Sequence, residues 1–235
     1  MIEFDLGGEP ELEDLVFASE DGYRGQGVDE GPAPDPLKGR IRVSPPHGFK
    51  ITEARVAGDE GLRRFIEEGS DRVDYYFVFL SISFVTADGP RLESAQLKLA
   101  LATVPDTPTP FALSIRPDAE GTQMKVERSV TIGPKLSLPV VGDTELGDIG
   151  TKHEYEQTRL FVRALSPYGS TPGWEFTRAP GKRLEGSCLL ELIVQAGRGA
   201  KLSVSGVAKA QTTVGNLPWH FRADLPGLLS FAADI

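Results

Sequence analysis

From Arg40 onward, apolar residues recur at every second position in short runs. Gly, Pro and Asp separate the runs at intervals of about ten residues, the signature of a sandwich or barrel of strands. "IRVSPPHGFKITEARV" predicts two strands around the break Pro45–Gly48. "RVDYYFVFLSISFVTA" is the most apolar segment, and its β-branched and aromatic content predicts a strand. On it, Tyr75, Phe77 and Phe79 share one face, and Tyr76, Val78, Leu80, Ile82 and Phe84 the other. Both faces are apolar over 75–80, which predicts cover on both sides. Further strands are expected at "FALSIRP", "MKVERSVTI", "KLSLPV", "EYEQTRLFVRAL", "WEFTRA", "LLELIVQA", "KLSVSGVAKAQTTV" and "WHFRADL". A helical period appears only near residues 59–69. Asp59 is placed to cap it, Leu62, Phe65 and Ile66 form its stripe, and Gly69 ends it.

One strand–turn–strand phrase is written twice. "FVTADGPRLESAQLKLAL" starts at Phe84 and "FTRAPGKRLEGSCLLELIV" at Phe176. With one gap, nine of eighteen paired positions are identical. Asp88-Gly89 and Pro180-Gly181 are turn dipeptides, so each phrase predicts a hairpin. The unmatched residue is Gly186. An uncompensated extra residue would flip every later side chain to the other face, so a β-bulge is expected there. Arg91/Glu93 and Arg183/Glu185 fall at i, i+2 and predict same-face ion pairs within each copy. The fold class that follows is all-β: an antiparallel β-sandwich of two related units or halves in tandem, with one short helix. The expected division is an acidic, loosely structured arm over 1–40, β units over 41–132 and 133–224, and an apolar tail over 225–235.

Charge sharpens the first of these boundaries. The net charge is -9, yet residues 1–37 hold eleven acidic side chains against Arg24 alone. The remainder carries 23 acids and 24 bases, so a near-neutral body bears an acidic arm. Such an arm repels phosphates and no basic stripe appears, which argues against a nucleic-acid partner. Two apolar clusters, Ile2/Phe4/Leu6 and Leu12/Leu15/Val16/Phe17, could anchor the arm, the first as a strand on a sheet edge. No apolar run reaches 18 residues, so no transmembrane helix and no membrane partner is expected. "MIEFDLGGEPELED" lacks the regions of a secretory signal. The lone cysteine, Cys188, lies in an apolar run and predicts a buried inert thiol in a cytoplasmic setting.

Searching the sequence for chemistry assigns no catalytic residue and no cofactor. His47, His153 and His220 are far apart, and strand alternation splits His153 and Tyr155 from Glu154 and Glu156. Asp143, Glu145 and Asp148 are oxygen ligands of a type calcium accepts, but their spacing fits no EF-hand, so no metal site is assigned. "GQGVDEG" puts Glu30 where a dinucleotide fingerprint needs its third glycine. Neither a Walker A sequence nor a nucleophile elbow occurs.

Aromatics and an apolar tail remain as candidate partner-binding groups: Tyr75, Phe77, Phe79, Trp174, Trp219, Leu228, Leu229 and Phe231, the two tryptophans reading first as core anchors at strand starts and alternatively as an exposed platform. The expectation is a non-enzymatic module for protein–protein interaction or self-association. The alternatives are a small-molecule binder, or a hydrolase or metal enzyme assembled from distant residues such as His47, His153, Asp143 and Asp148.

Overall fold

A computed structural model of the chain describes residues 11–19, 37–56, 60–86, 89–104, 108–120, 129–132, 136–139, 160–178, 181–214 and 217–231. The first strands are β1 (Glu13–Asp14), β2 (Ala18–Ser19), β3 (Ile41–Val43) and β4 (His47–Ile51). A 3-10 turn (Glu53–Val56) and helix α1 (Glu60–Gly69) lead into β5 (Val73–Phe84). Then come β6 (Arg91–Val104), β7 (Phe111–Arg116), β8 (Ala119–Glu120), β9 (Ser129–Ile132), β10 (Leu136–Pro139) and β11 (Leu160–Leu165). The last strands are β12 (Gly173–Arg178), β13 (Gly186–Gly197), β14 (Lys201–Val214), β15 (Leu217–Asp224) and β16 (Leu229–Ser230).

These strands form two antiparallel sheets packed face to face. One has the order β1-β3-β5-β13-β7, with β4 also on β5. The other runs β2-β15-β14-β6-β12-β11-β8, with β16 also on β14. β9 and β10 pair with each other. The stretches 41–132 and 133–224 each supply strands to both sheets, as halves of one sandwich.

Alternation decides what lies between the sheets. Tyr76, Val78, Leu80, Ile82 and Phe84 of β5 join Leu97, Leu99 and Leu101 of β6, and Leu190, Leu192 and Val194 of β13, in one core. The opposite face of β5 is apolar too, as predicted, and it makes a second core. There Tyr75, Phe77 and Phe79 pack with Ile51, Val56, Ile66 and Ile193. Helix α1 contributes to that cover through buried Ile66 and through Phe65, whose ring centroid is 5.3 Å from that of Tyr75. Gly69 ends α1 for a reason of space: a Cβ there would lie 2.5 Å from the Tyr75 hydroxyl. Asp59, the expected cap, lies outside the described residues.

The described parts of the arm and of the tail dock on this body. In the arm, β1 extends one sheet at β3 and β2 extends the other at β15, with Leu15 and Phe17 buried between them. Ile2, Phe4 and Leu6 lie outside the described residues. In the tail, β16 continues the edge of β14, and the Phe231 ring sits 4.8 Å from that of Tyr76.

Two sequence expectations need correcting. The repeated phrase does not fold as two hairpins. β5 lies between β13 and the β3/β4 edge, while β6 lies between β12 and β14, so neither pairs with the other. Each turn instead carries the chain from one sheet to the other. The expected bulge at Gly186 is also absent, because β13 pairs with β5 without a break from Gly186↔Phe84 to Gly197↔Val73. The extra residue is taken up before the ladder begins, where Gly186 adopts φ 115°. The register break lies in the other copy: β14 steps from Ser94 to Leu92 across Gln211/Thr212, passing over Glu93.

Candidate functional site

The two phrases lie side by side and antiparallel. The chain crosses between the sheets from β5 to β6 in the first copy and from β12 to β13 in the second. β5 pairs with β13, and β6 with β12, so each copy supplies one strand to each sheet next to its counterpart. The arrangement approximates a two-fold axis through the end of the sandwich. The register differs by two residues between the pairings, since Phe84 faces Gly186 whereas Phe176 faces Ala95, the counterpart of Cys188. An even shift leaves the facing unchanged.

Equivalent residues take equivalent roles. Phe84 and Phe176 meet with ring centroids 5.2 Å apart, tilted by 55°. Leu92 and Leu184 are both buried. Gly89 and Gly181 both have positive φ, 124° and 75°, where a side chain would be strained. The glutamates of the two Arg-Leu-Glu triplets are exchanged between the copies. Arg178 donates to Glu93 at 2.5 Å, and Thr86 donates to Glu185 at 2.5 Å. Thr86 and Arg178 each stand two residues after their phenylalanine. Of the ion pairs expected within each copy, Arg91–Glu93 forms. Arg91 Nε is 3.8 Å from Glu93 and its Nη2 donates to the Lys182 carbonyl at 3.0 Å. Arg183 has no ion pair among the described residues.

Between the crossings opens a cavity of about 460 Å³, within the range of small-ligand sites. It is lined by Arg40, Arg91 and Arg183 with Thr86, Gly89, Leu92, Gly181 and Leu184, and no carboxylate is among these residues. Arg40, in the turn before β3, is only 7% exposed. Its Nη1 donates to the Pro90 carbonyl, while its Nε is buried without a partner. Burial, and secondly the nearby Arg183 charge, push the Arg40 guanidinium below its ordinary pKa. An arginine stays protonated regardless, so the result is a buried, under-compensated positive charge. Chemically, this end can attract and hold an anion.

The residues singled out from the sequence are dispersed. Tyr75, Phe77 and Phe79 are buried under the second core, and Trp174 is buried in the first, its Nε1 donating to the Arg116 carbonyl at 3.1 Å. As core residues these four offer no surface to a partner. Leu229 and Phe231 are half-buried against the main core. Trp219 and Leu228 keep open surface, at 39% and 64% exposure. Trp219 falls in register with the cavity end, through Thr212 of β14 to Leu92 of β6. His47 stacks on Phe79 with centroids 5.7 Å apart, and His220 is exposed on β15. Asp143, Glu145, Asp148 and His153 lie outside the described residues. Among the described residues no three His, Cys, Asp or Glu side chains gather as metal ligands, and no helix is long and apolar enough to cross a membrane. Sequence reasoning missed Arg40 and Arg183 as site residues. The signal for Arg183 was the repeated Arg-Leu-Glu; Arg40 carried none.

No family model matches the chain, and no curated protein matches it in sequence. Solved structures similar to it include the Clostridium perfringens NetB toxin in its membrane-inserted form, at 8% identity over 94% of each chain, with a TM-score of 0.37. They also include a pore forming protein, at 10% identity over 98% of this chain and 93% of that one, with a TM-score of 0.31. Neither score carries an inference about what this chain does.

Proposed function

We propose that this protein is a non-enzymatic β-sandwich module that binds a protein partner through an anionic group received at the arginine-lined end. The observation that carries the reading is the buried Arg40 charge, flanked by Arg91 and Arg183 around a cavity whose lining holds no carboxylate. Enclosing part of a guanidinium with no counter-charge among the described residues carries a desolvation cost. An anionic partner offsets that cost on binding, so the site is held ready at the expense of the free protein. Trp219, exposed on the same end of the second sheet, supplies an aromatic neighbour for the interface. The buried free thiol of Cys188 suits the reducing, cytoplasmic setting that forms part of the proposal.

The test compares capture from the native host by the wild-type chain and by a chain carrying Arg91→Gln and Arg183→Gln. The reading expects a partner that is released by salt and absent from the variant. An unchanged set of captured proteins would remove the basis for it. The cavity volume favours a second reading, in which the anion is a free small molecule rather than part of a protein.

A further inference from the structure

Building on the anion-binding reading, we infer that the group received between the two crossings is a phosphate monoester or inorganic phosphate rather than a carboxylate. The argument is one of charge and shape. Arg183 has no ion pair among the described residues, and the only side-chain hydrogen bond of Arg40 is to the neutral Pro90 carbonyl. Arg91 is held loosely at 3.8 Å from Glu93, whose carboxylate is already engaged by Arg178 at 2.5 Å. The other nearby acid, Glu185, accepts from Thr86. Among the described residues, two guanidinium charges are thus left without a counter-ion and a third is shared.

A single carboxylate brings one negative charge and leaves one of the two uncompensated. A phosphate brings about -1.5 to -2 charges and three acceptor oxygens, which matches the deficit. Guanidinium forks also suit phosphate oxygens, which they can take in pairs. The approach is open, because nothing lies within 4 Å of where a Cβ would stand on Gly89 or Gly181. Those two glycines, one from each copy, add no side chain of their own to the cavity lining. The repeat therefore has a functional reading: the same phrase, used twice, contributes Arg91 from one copy and Arg183 from the other to the cavity that Arg40 also lines.

The experiment is titration calorimetry of the full chain at constant ionic strength. The probes are inorganic phosphate, a phosphoserine peptide, its unphosphorylated form and acetate. The proposal expects saturable binding of phosphate or the phosphopeptide, no binding of the unphosphorylated peptide, and binding at least about tenfold weaker in Arg183→Gln. Arg183 is exposed, so the variant should melt at the wild-type temperature in chloride. Should it not, Arg183→Lys keeps the charge, removes the fork, and must still weaken phosphate more than it changes melting. Tighter binding of the phosphopeptide than of free phosphate assigns the group to a protein partner, and the reverse order assigns it to a small ligand. Acetate binding as tightly as phosphate would overturn the phosphate inference and leave the anion site standing. No binding of any anion by the wild type would overturn both.

Discussion

Phe84 and Phe176 are far apart in the sequence and touch only because the two crossings lie side by side. Replacing each by leucine, singly and together, measures that contact. Both are core residues, 3% and 0% exposed, with ring centroids 5.2 Å apart in a tilted arrangement. Each single change removes buried aromatic volume and is expected to cost about 1–3 kcal/mol. A tilted aromatic pair at this distance is worth about 0.5–1.5 kcal/mol beyond the area it buries. The double variant should therefore lose less than the sum of the singles, by about that amount. With total stability of the usual 5–15 kcal/mol, all three variants should remain folded. Urea unfolding followed by tryptophan fluorescence gives the four stabilities, because Trp174 is fully buried in the same core. Losses that add to within about 0.3 kcal/mol would mean the rings do not touch, and the paired-crossing arrangement would fall with them.

Three further predictions follow from the two cores. Trp174→Phe removes the donor to the half-buried Arg116 carbonyl, and should lower stability by about 0.5–1.5 kcal/mol in the same urea assay. Gly69→Ala sets a Cβ against the Tyr75 hydroxyl, and should cost about 1–3 kcal/mol through overpacking, whereas an ordinary helical glycine would gain from alanine. Burial raises the Tyr75 pKa above its ordinary value near 10.0, so the folded state holds that proton at a pH where the unfolded chain has lost it. Stability should accordingly be unaffected by this group below pH 10 and fall as pH rises beyond it. In ultraviolet titration, Tyr75 should ionise later than a free tyrosine, or only on unfolding.

Much of the fold was legible because alternation is a local property. The two faces of β5, the short helix and the described parts of the strands from "FALSIRP" to "WHFRADL" follow from which residues must avoid water, while 124–128 of "MKVERSVTI" and 154–159 of "EYEQTRLFVRAL" lie outside the described residues. Pairing is not local. Asp88-Gly89 and Pro180-Gly181 announce a reversal of direction, and the same reversal serves a hairpin within one sheet or a crossing between two. What decided it is that Phe84 and Leu92 both point into one interior shared by two sheets, a fact that needs the partner strands. For the same reason cover over Tyr75, Phe77 and Phe79 could be predicted, yet not that α1 and the turn before it supply it. The exchange of Glu93 and Glu185 between the copies likewise depends on β6 lying beside β12. Arg40 was the hardest to foresee, because an isolated arginine before a strand carries no sign that it will be enclosed.

The central claim is that the two phrases pair antiparallel, with β5 against β13. Ser83 and Ser187 face each other in that pairing and their hydroxyl oxygens are 3.0 Å apart. In a Cys188→Ala background, Ser83→Cys with Ser187→Cys should close an internal disulfide on mild oxidation, since facing positions on paired strands bring the two sulfurs within reach of a bond of about 2.05 Å. The account predicts a folded, cross-linked single chain, read by mass spectrometry of the protein and of its proteolytic fragments. Two free thiols surviving oxidation in the folded protein, or bridges formed only between chains, would contradict it.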